Sequence, residues 1–356
     1  MSKKRIIAQK RSVAIGLDVD SNASALVVLD VSNGEVLYEG SITHEKDSWL
    51  KFLIRLPQCH IWACYETGGI GFHLCRMLLS LGVDCKVVPV SKIPKAPESR
   101  QQKTDRRDAL SLAQLYYHAP KSFIRVPSEA VEADRQVIRT RYQLMKDRVR
   151  VMLRIRSFLL FHNIKKPAGI QRCWTKNYRC WLKNGPCPYE ELNDCLRLYL
   201  EELEKLEELL SRLKQKIMAL SRTDRYRQAC DRLITQIPGV GPLTAMTFLV
   251  EIFQPEDFQT AEALASHIGL TPCEYSSGKR HRYGHITHWG PPHLRKQLVE
   301  ATWIWIRKDP QARERYQSIR AGSKGKIAII GMARRLAIVM WAMTVKEQDY
   351  QYRWAA

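Results

Sequence analysis

Nine apolar side chains between Leu192 and Leu220 recur in unbroken steps of four and three: Leu192, Leu196, Tyr199, Leu203, Leu206, Leu210, Leu213, Ile217 and Leu220. On a helix that alternation draws one continuous stripe, and a stripe sustained this long must lie against another helix. Glu and Lys fill the flanks. A first partner is at hand in residues 128–162, a basic stretch in which Ile138, Tyr142, Met145, Val149 and Met152 keep the same steps. Two readings stay open: an antiparallel hairpin within one chain, or a contact between copies. We expect both together; a plain helical spacer between domains is the alternative. The stripe divides the chain into residues 1–125, a long-helix coiled-coil region 126–225, and residues 226–356. The expected fold class is α/β plus all-α.

The first part reads as alternating strands and helices. "SVAIGLDVDSNASALVVLD" gives two β-branched runs around a polar turn, and "SNGE" turns the chain into "VLYEGSI", completing an antiparallel meander. "HIWACYE" is a fourth strand, "GIGFHLCRMLLSLG" a helix stopped at Gly82, and "VDCKVVPVS" a fifth strand. Two acids are out of place. Asp18 lies in the middle of the first apolar run, and Glu66 closes the fourth, directly before Thr67 and a Gly-Gly pair. A carboxylate there is costly to bury unless it is paired or holds a cation. Thr104 caps a further helix on which Asp105, Asp108, Leu112 and Leu115 share one face. The leucines should pack on the sheet and carry both acids to its edge. Asp105 and Asp108 also suit a helix N-terminus through the dipole alone. Carboxylates gathered at one place repel, and hard oxygen ligands suit Mg²⁺.

In the third part, "IPGVGPLTA" sets a turn with Gly239 and Gly241 between two apolar helices. Such a helix-hairpin-helix presents backbone N–H groups to a phosphate; a tight turn without a ligand is the alternative. "GLTPCEYSSGKRHRYGHITHWGPPHLRK" follows, with Ser276 and Ser277 before Lys279, Arg280 and Arg282. Taken alone it reads as a flexible polar loop. The chain has 57 Lys and Arg against 36 Asp and Glu, a formal net charge of +21. A field of that size attracts polyanions, with nucleic acid first among them. The ten cysteines form no CxxC pair and read as reduced thiols. The opening "MSKKRIIAQKRSVAIG" is basic and holds no long apolar stretch, so no secretory signal is expected. The apolar run Ile327–Trp341 is too short and, with Arg334 and Arg335, too charged to span a bilayer. No membrane role is expected.

"GLDVD", "YETGG", "KTDRRDA", "IPGVGPLTA" and "GLTPCEYSSGKR" occur in this order across nearly the full length. The chain thereby resembles the Piv-like DEDD transposases of bacterial insertion sequences, the bridge-RNA-guided recombinases. The resemblance implies an RNase H-like (RuvC-like) N-terminal domain, a coiled-coil middle and a C-terminal transposase domain. It places an acidic tetrad on Asp18, Glu66, Asp105 and Asp108, holding Mg²⁺ in two sites, and a catalytic serine at Ser277, with Ser276 one residue away. In this family small residues commonly follow the glycine after that serine, whereas here Lys279 follows directly. Lys103, Arg106, Gly239, Gly241, Lys279, Arg280 and Arg282 become candidate nucleic-acid contacts. The implied partners are element and target DNA, a guide noncoding RNA and further copies of the chain, as dimer or tetramer. The implied place is the bacterial cytoplasm, at the nucleoid. A Mg²⁺-dependent junction nuclease needing no serine, a protein-directed invertase and a non-catalytic nucleic-acid scaffold are the rival readings.

Overall fold

The computed structural model describes residues 12–56, 59–89, 104–118, 123–274, 283–287 and 289–350. The chain divides into two compact units, Met1–Val126 and Pro127–Ala356.

The first unit is mixed α/β. Its strands are β1 (Ser12–Val19), β2 (Ala23–Asp30), β3 (Val36–Thr43), β4 (His60–Glu66) and β5 (Asp84–Val88). Its helices are α1 (Lys46–Leu53), α2 (His73–Ser80) and α3 (Asp105–His118). The sheet order is β3-β2-β1-β4-β5. β1 pairs antiparallel with β2 and parallel with β4, and β5 extends the parallel side. Alternation assigns the two faces. Val13, Ile15 and Leu17 pack with Ala63, Tyr65 and Val87 beneath Trp49 of α1 and Leu74 and Leu78 of α2. Ala14, Val27, Trp62, Cys64 and Val88 face Ala109, Leu112, Ala113 and Leu115 of α3. Burial on both faces is why these strands read as continuous apolar runs.

Two expectations for this unit need correction. α2 begins at His73, because residues 69–72 form a turn in which Gly71 adopts φ +62°. Asp18 stands one residue before the end of β1, half-buried and still paired with Ala25 of β2, and not in the buried middle of the strand.

The second unit is helical: α4 (Glu129–Phe161), α5 (Lys176–Lys183), α6 (Glu190–Leu220), α7 (Arg227–Gln236), α8 (Pro242–Ile252) and α9 (Ala261–Ile268) lead to a short hairpin of β6 (Pro272–Glu274) and β7 (Tyr283–Ile286). α10 (Pro292–Lys308), α11 (Pro310–Ala321) and α12 (Gly325–Lys346) follow. Neither α5 nor the β6–β7 hairpin is anticipated by the sequence reading. α4 starts at a Ser128 cap that accepts from the Val131 N–H. α4 and α6 run antiparallel, since Arg148 pairs with Glu207 and Arg154 with Glu202. One limb of the α6 stripe, Leu196, Leu203, Leu210 and Ile217, is buried; the other, Leu192, Tyr199, Leu206, Leu213 and Leu220, is half-buried. On α4 the expected stripe holds in part: Ile138 is buried and Tyr142, Met145 and Met152 are half-buried, while Val149 is 43% exposed and Val151, Ile155 and Leu159 are buried instead. From Val149 onward the antiparallel partner and α5 select a different face from the one that the step pattern marks.

α12 also departs from expectation. It runs 22 residues and is long and apolar enough, by length and composition, to cross a membrane. Its apolar side chains have another use. Ile329, Met332, Leu336, Met340 and Met343 are buried in the core shared with α8 and α10.

Candidate functional site

The N-terminal acids are positioned by strand ends and one helix crossing. Leu17 of β1 stands opposite Tyr65 of the parallel β4. The next residues are Asp18, which pairs with Ala25 of β2, and Glu66, which pairs with Val88 of β5, so both acids stand at the carboxyl ends of neighbouring strands. Alternation puts Asp18 on the face of Ala14 and Gly16, and Glu66 on that of Trp62 and Cys64, the face that α3 covers. The direction of α3 is fixed at its far end, where the Tyr117 hydroxyl donates to the carbonyls of Asp30 and Val31 at 3.1 and 3.0 Å. Asp30 pairs with Val13 at the start of β1. α3 therefore runs against β1, and its first turn, with Asp105 and Asp108, lies over the strand ends bearing Asp18 and Glu66.

Gly16 permits this crossing. A Cβ there would sit 1.8 Å from the Ala109 carbonyl oxygen and 2.4 Å from the Ala113 nitrogen. The Thr104 hydroxyl accepts from the Arg107 N–H at 3.4 Å, a weak cap. Beyond Glu66, the Thr67 N–H donates to Val88 and the Tyr65 hydroxyl to the Gly71 carbonyl, both at 3.0 Å. These bonds pin the turn, while a Cβ at Gly69 would meet nothing within 4 Å. A Cβ at Gly68 would come 4.0 Å from the Glu66 carbonyl oxygen, an ordinary contact, so packing forces neither glycine. Arg106 pairs with Glu39 of β3 at 2.7 Å and is itself largely exposed. Among the described residues no group of three or more His, Cys, Asp or Glu is close enough to hold a metal ion. The four acids share one edge without closing into a ligand cage. Their donor set, carboxylate oxygens alone, is of the kind hard divalent cations take.

Ser277, Lys279, Arg280 and Arg282 lie outside the described residues, as does Lys103. The two strands that flank the serine segment are described, and their base is tightly built. Gly269 has φ +75°, and a Cβ on it would come 1.9 Å from the Trp289 carbonyl oxygen. Gly290 has φ +80°, and its Cβ would come 2.0 Å from the His267 carbonyl oxygen. The two glycines let the entering and leaving chains touch. Arg295 then closes the base, donating to the carbonyls of Ile268, Trp289 and Gly290 at 3.0, 2.8 and 3.1 Å. Pro291 and Pro292 start α10 directly afterwards.

Beneath lies a buried charge network. Glu251 of α8 takes two hydrogen bonds from Arg139 of α4, at 2.9 Å each, and one from His293 of α10 at 2.8 Å. Burial alone would push the Glu251 carboxyl up. The bonds from His293 and Arg139 and the nearby guanidinium charges outweigh it and hold the carboxyl down to about 2. Arg135 adds a bond to the Val250 carbonyl at 2.9 Å. Sequence reading missed both Glu251 and Arg295. A lone acid in the apolar run "TAMTFLVEI" was the one available signal.

The turn between α7 and α8 divides its two glycines. Gly239, at φ +95°, packs under α10, where a Cβ would come 2.6 Å from the Ala301 carbonyl oxygen. Gly241 is the N-cap of α8 and has nothing within 4 Å of its Cβ position.

The pattern of the IS116/IS110/IS902 transposase family matches residues 231–317, and a transposase pattern of the DEDD IS110 type matches residues 15–164. The transposase for insertion sequence element IS1533 of Leptospira borgpetersenii is 30% identical over 83% of this chain and 85% of its own length. This chain belongs to the IS116/IS110/IS902 transposase family. The y4qE protein of Sinorhizobium fredii is 28% identical over 95% of the chain and 90% of its own length. The transposase for IS1111A of Coxiella burnetii is 20% identical over 98% and 94%. As an insertion-sequence transposase the protein acts on DNA, and the DEDD pattern covers all four edge acids.

Proposed function

We propose that this transposase cuts and rejoins DNA through a covalent bond between Ser277 and a DNA phosphate, assisted by Asp18, Glu66, Asp105 and Asp108. The observation that carries the reading is the crossing of α3 over Gly16, which delivers acids from three elements to one edge. The serine oxygen attacks phosphorus and its proton passes to a carboxylate. The bond to the departing strand oxygen breaks, and that oxygen takes up a proton. Attack by a hydroxyl of the new partner strand then releases the serine and joins the strands. A serine hydroxyl is a weak nucleophile and needs such activation. A divalent ion, Mg²⁺ in this reading and two of them for four carboxylates, would stabilise charge on the attacking and leaving oxygens. Lys103, Arg106, Lys279, Arg280, Arg282 and the open turn at Gly241 would bear on DNA backbones, and Arg280 and Arg282 would balance charge on the reacting phosphate. Gly239 serves the turn through packing.

The sheet order supports an RNase H-like reading of residues 1–125, with the coiled-coil region at 126–225 and the transposase domain at 226–356. The half-buried limb of the α6 stripe supports assembly with further copies. The charge of +21 supports a second polyanion beside DNA, a guide noncoding RNA. The place of action in this reading is the bacterial cytoplasm, at the nucleoid.

The test uses full-length protein purified with its native flanking DNA and Mg²⁺. A denaturant-resistant protein–DNA species is expected from the native chain and from Ser276→Ala, but not from Ser277→Ala or Asp18→Asn. Cleavage that survives Ser277→Ala with no covalent species would point to the nuclease reading. A discrete RNA recovered with the protein is expected; only mixed cellular RNA would remove the guide from the reading.

A further inference from the structure

From Arg148 to Tyr189 the chain carries ten Lys and Arg and no Asp or Glu. This stretch is the second half of α4, the connector, α5 and the approach to α6, and together they make the far tip of the α4–α6 hairpin. The acids of α6 neutralise only its seam. Glu207 takes Arg148 and Arg179, Glu202 takes Arg154, and Glu204 takes Lys183. Arg156, Lys165, Lys166, Arg172 and Lys176 are exposed and form no ion pair among the described residues. Leu160 and Phe161 stand beside them, 81% and 84% exposed.

We propose that this tip is a separate DNA-binding surface that grips the phosphate backbone of duplex DNA about one helical turn from the base of the serine hairpin. The proposal rests on the DNA reading above and adds a place and a distance to it. The distance comes from α4. Arg139 is fixed to Glu251, and Glu251 to His293, which stands three residues beyond Gly290 at the hairpin base. At about 1.5 Å per residue, the helix from Arg139 to Phe161 sets the tip roughly 33 Å away. One turn of B-DNA is about 34 Å. A rigid two-helix arm of that reach returns to the same side of a duplex one turn on. Its cations then meet phosphates, while Leu160 and Phe161 offer apolar surface to the sugars. A second copy's tip is an unsuitable occupant, because both carry the same sign of charge.

The test is the salt dependence of binding to a labelled 40-base-pair duplex, with the full chain. The variant set is Arg156→Glu, Lys165→Glu, Arg172→Glu and Lys176→Glu. Lys166 is spared because its ammonium holds the Ile170 carbonyl. Each lost phosphate contact removes about 0.9 from the slope of log K against log salt, so the set should flatten it by roughly 3 to 4. Affinity at 0.1 M salt should fall at least about tenfold. The same charge change at Arg212, Lys214, Lys216 and Arg222, at the other end of α6, should leave most of the slope. An unchanged slope in the tip set overturns the proposal, as does an equal loss in the second set. A loss confined to a duplex RNA of the same length also overturns it, assigning the tip to RNA. Should the glutamate set lower the melting temperature, the corresponding glutamine set reads the same slope, and no change there is equally fatal. Failure here leaves the Ser277 adduct untouched, and failure of the adduct leaves the slope untouched.

Discussion

Removing the charge of Glu251 should destabilise the helical unit by roughly 3 kcal/mol at neutral pH, and the loss should fade in acid. The carboxyl lies at about 2 in the folded chain against an ordinary 4.5. At about 1.36 kcal/mol per pH unit, that difference corresponds to roughly 3 kcal/mol in favour of the folded, ionised form. The side chain is only 3% exposed, so solvent screening takes little of this away. The sign follows from linkage. A depressed carboxyl contributes its full stability above pH 4.5 and loses it as pH falls through about 2. Glu251→Gln keeps the shape and removes the charge, leaving the Arg139 and His293 donors with a weaker acceptor. Urea unfolding followed by helical circular dichroism at pH 7, 4.5 and 3 is the assay. The expected gap between native and Glu251→Gln is largest at pH 7 and shrinks clearly by pH 3. A gap near zero at pH 7 would mean that burial cancels the ion pairs. A gap constant with pH would mean that the side chain acts through shape alone. Either result refutes the charge argument.

Gly16→Ala would drive a methyl group into the Ala109 carbonyl, so α3 must lift or tilt; a loss above about 3 kcal/mol in the N-terminal unit is expected. DNA cleavage should fall further than stability explains, because Asp105 and Asp108 move with the helix; cleavage assayed well below the melting temperature checks this. Arg295→Lys should fail to rescue Arg295→Met, since one ammonium cannot reproduce the guanidinium that spans three carbonyls. Limited proteolysis should then cut both variants faster within residues 270–290, and equal rates in both variants and the native chain would reject the clamp.

Much of the N-terminal edge was legible. Glu66 stands out because an acid at the end of an apolar strand run has few structural uses; Asp18 stands out as an acid inside such a run, and only the structure moves it to the strand's end. Asp105 and Asp108 follow from helical periodicity with Leu112 and Leu115. The α4 register was not legible. Val149 fits a step pattern as well as Val151 does, and only the packing of α5 and α6 chooses between them. The extent of α12 was hidden for a similar reason: an apolar helix in a protein core and one in a bilayer differ in surroundings rather than in composition.

The sequence alone determined the division into an α/β part and a helical part, the paired long helices, the strands that carry Asp18 and Glu66, and the excess of positive charge. These depend on local periodicity and on the cost of burying charge, which act over a few residues. Only the tertiary structure decided that α3 runs against β1, that Gly16 lets it approach, that Gly269 and Gly290 let two distant segments touch, and that Glu251 collects Arg139 and His293. Each is a contact between residues far apart in the chain, and no local pattern encodes its partner. The unpaired tip cations fall between the two cases. The sequence holds the cations, and the fold decides which of them the acids of α6 reach.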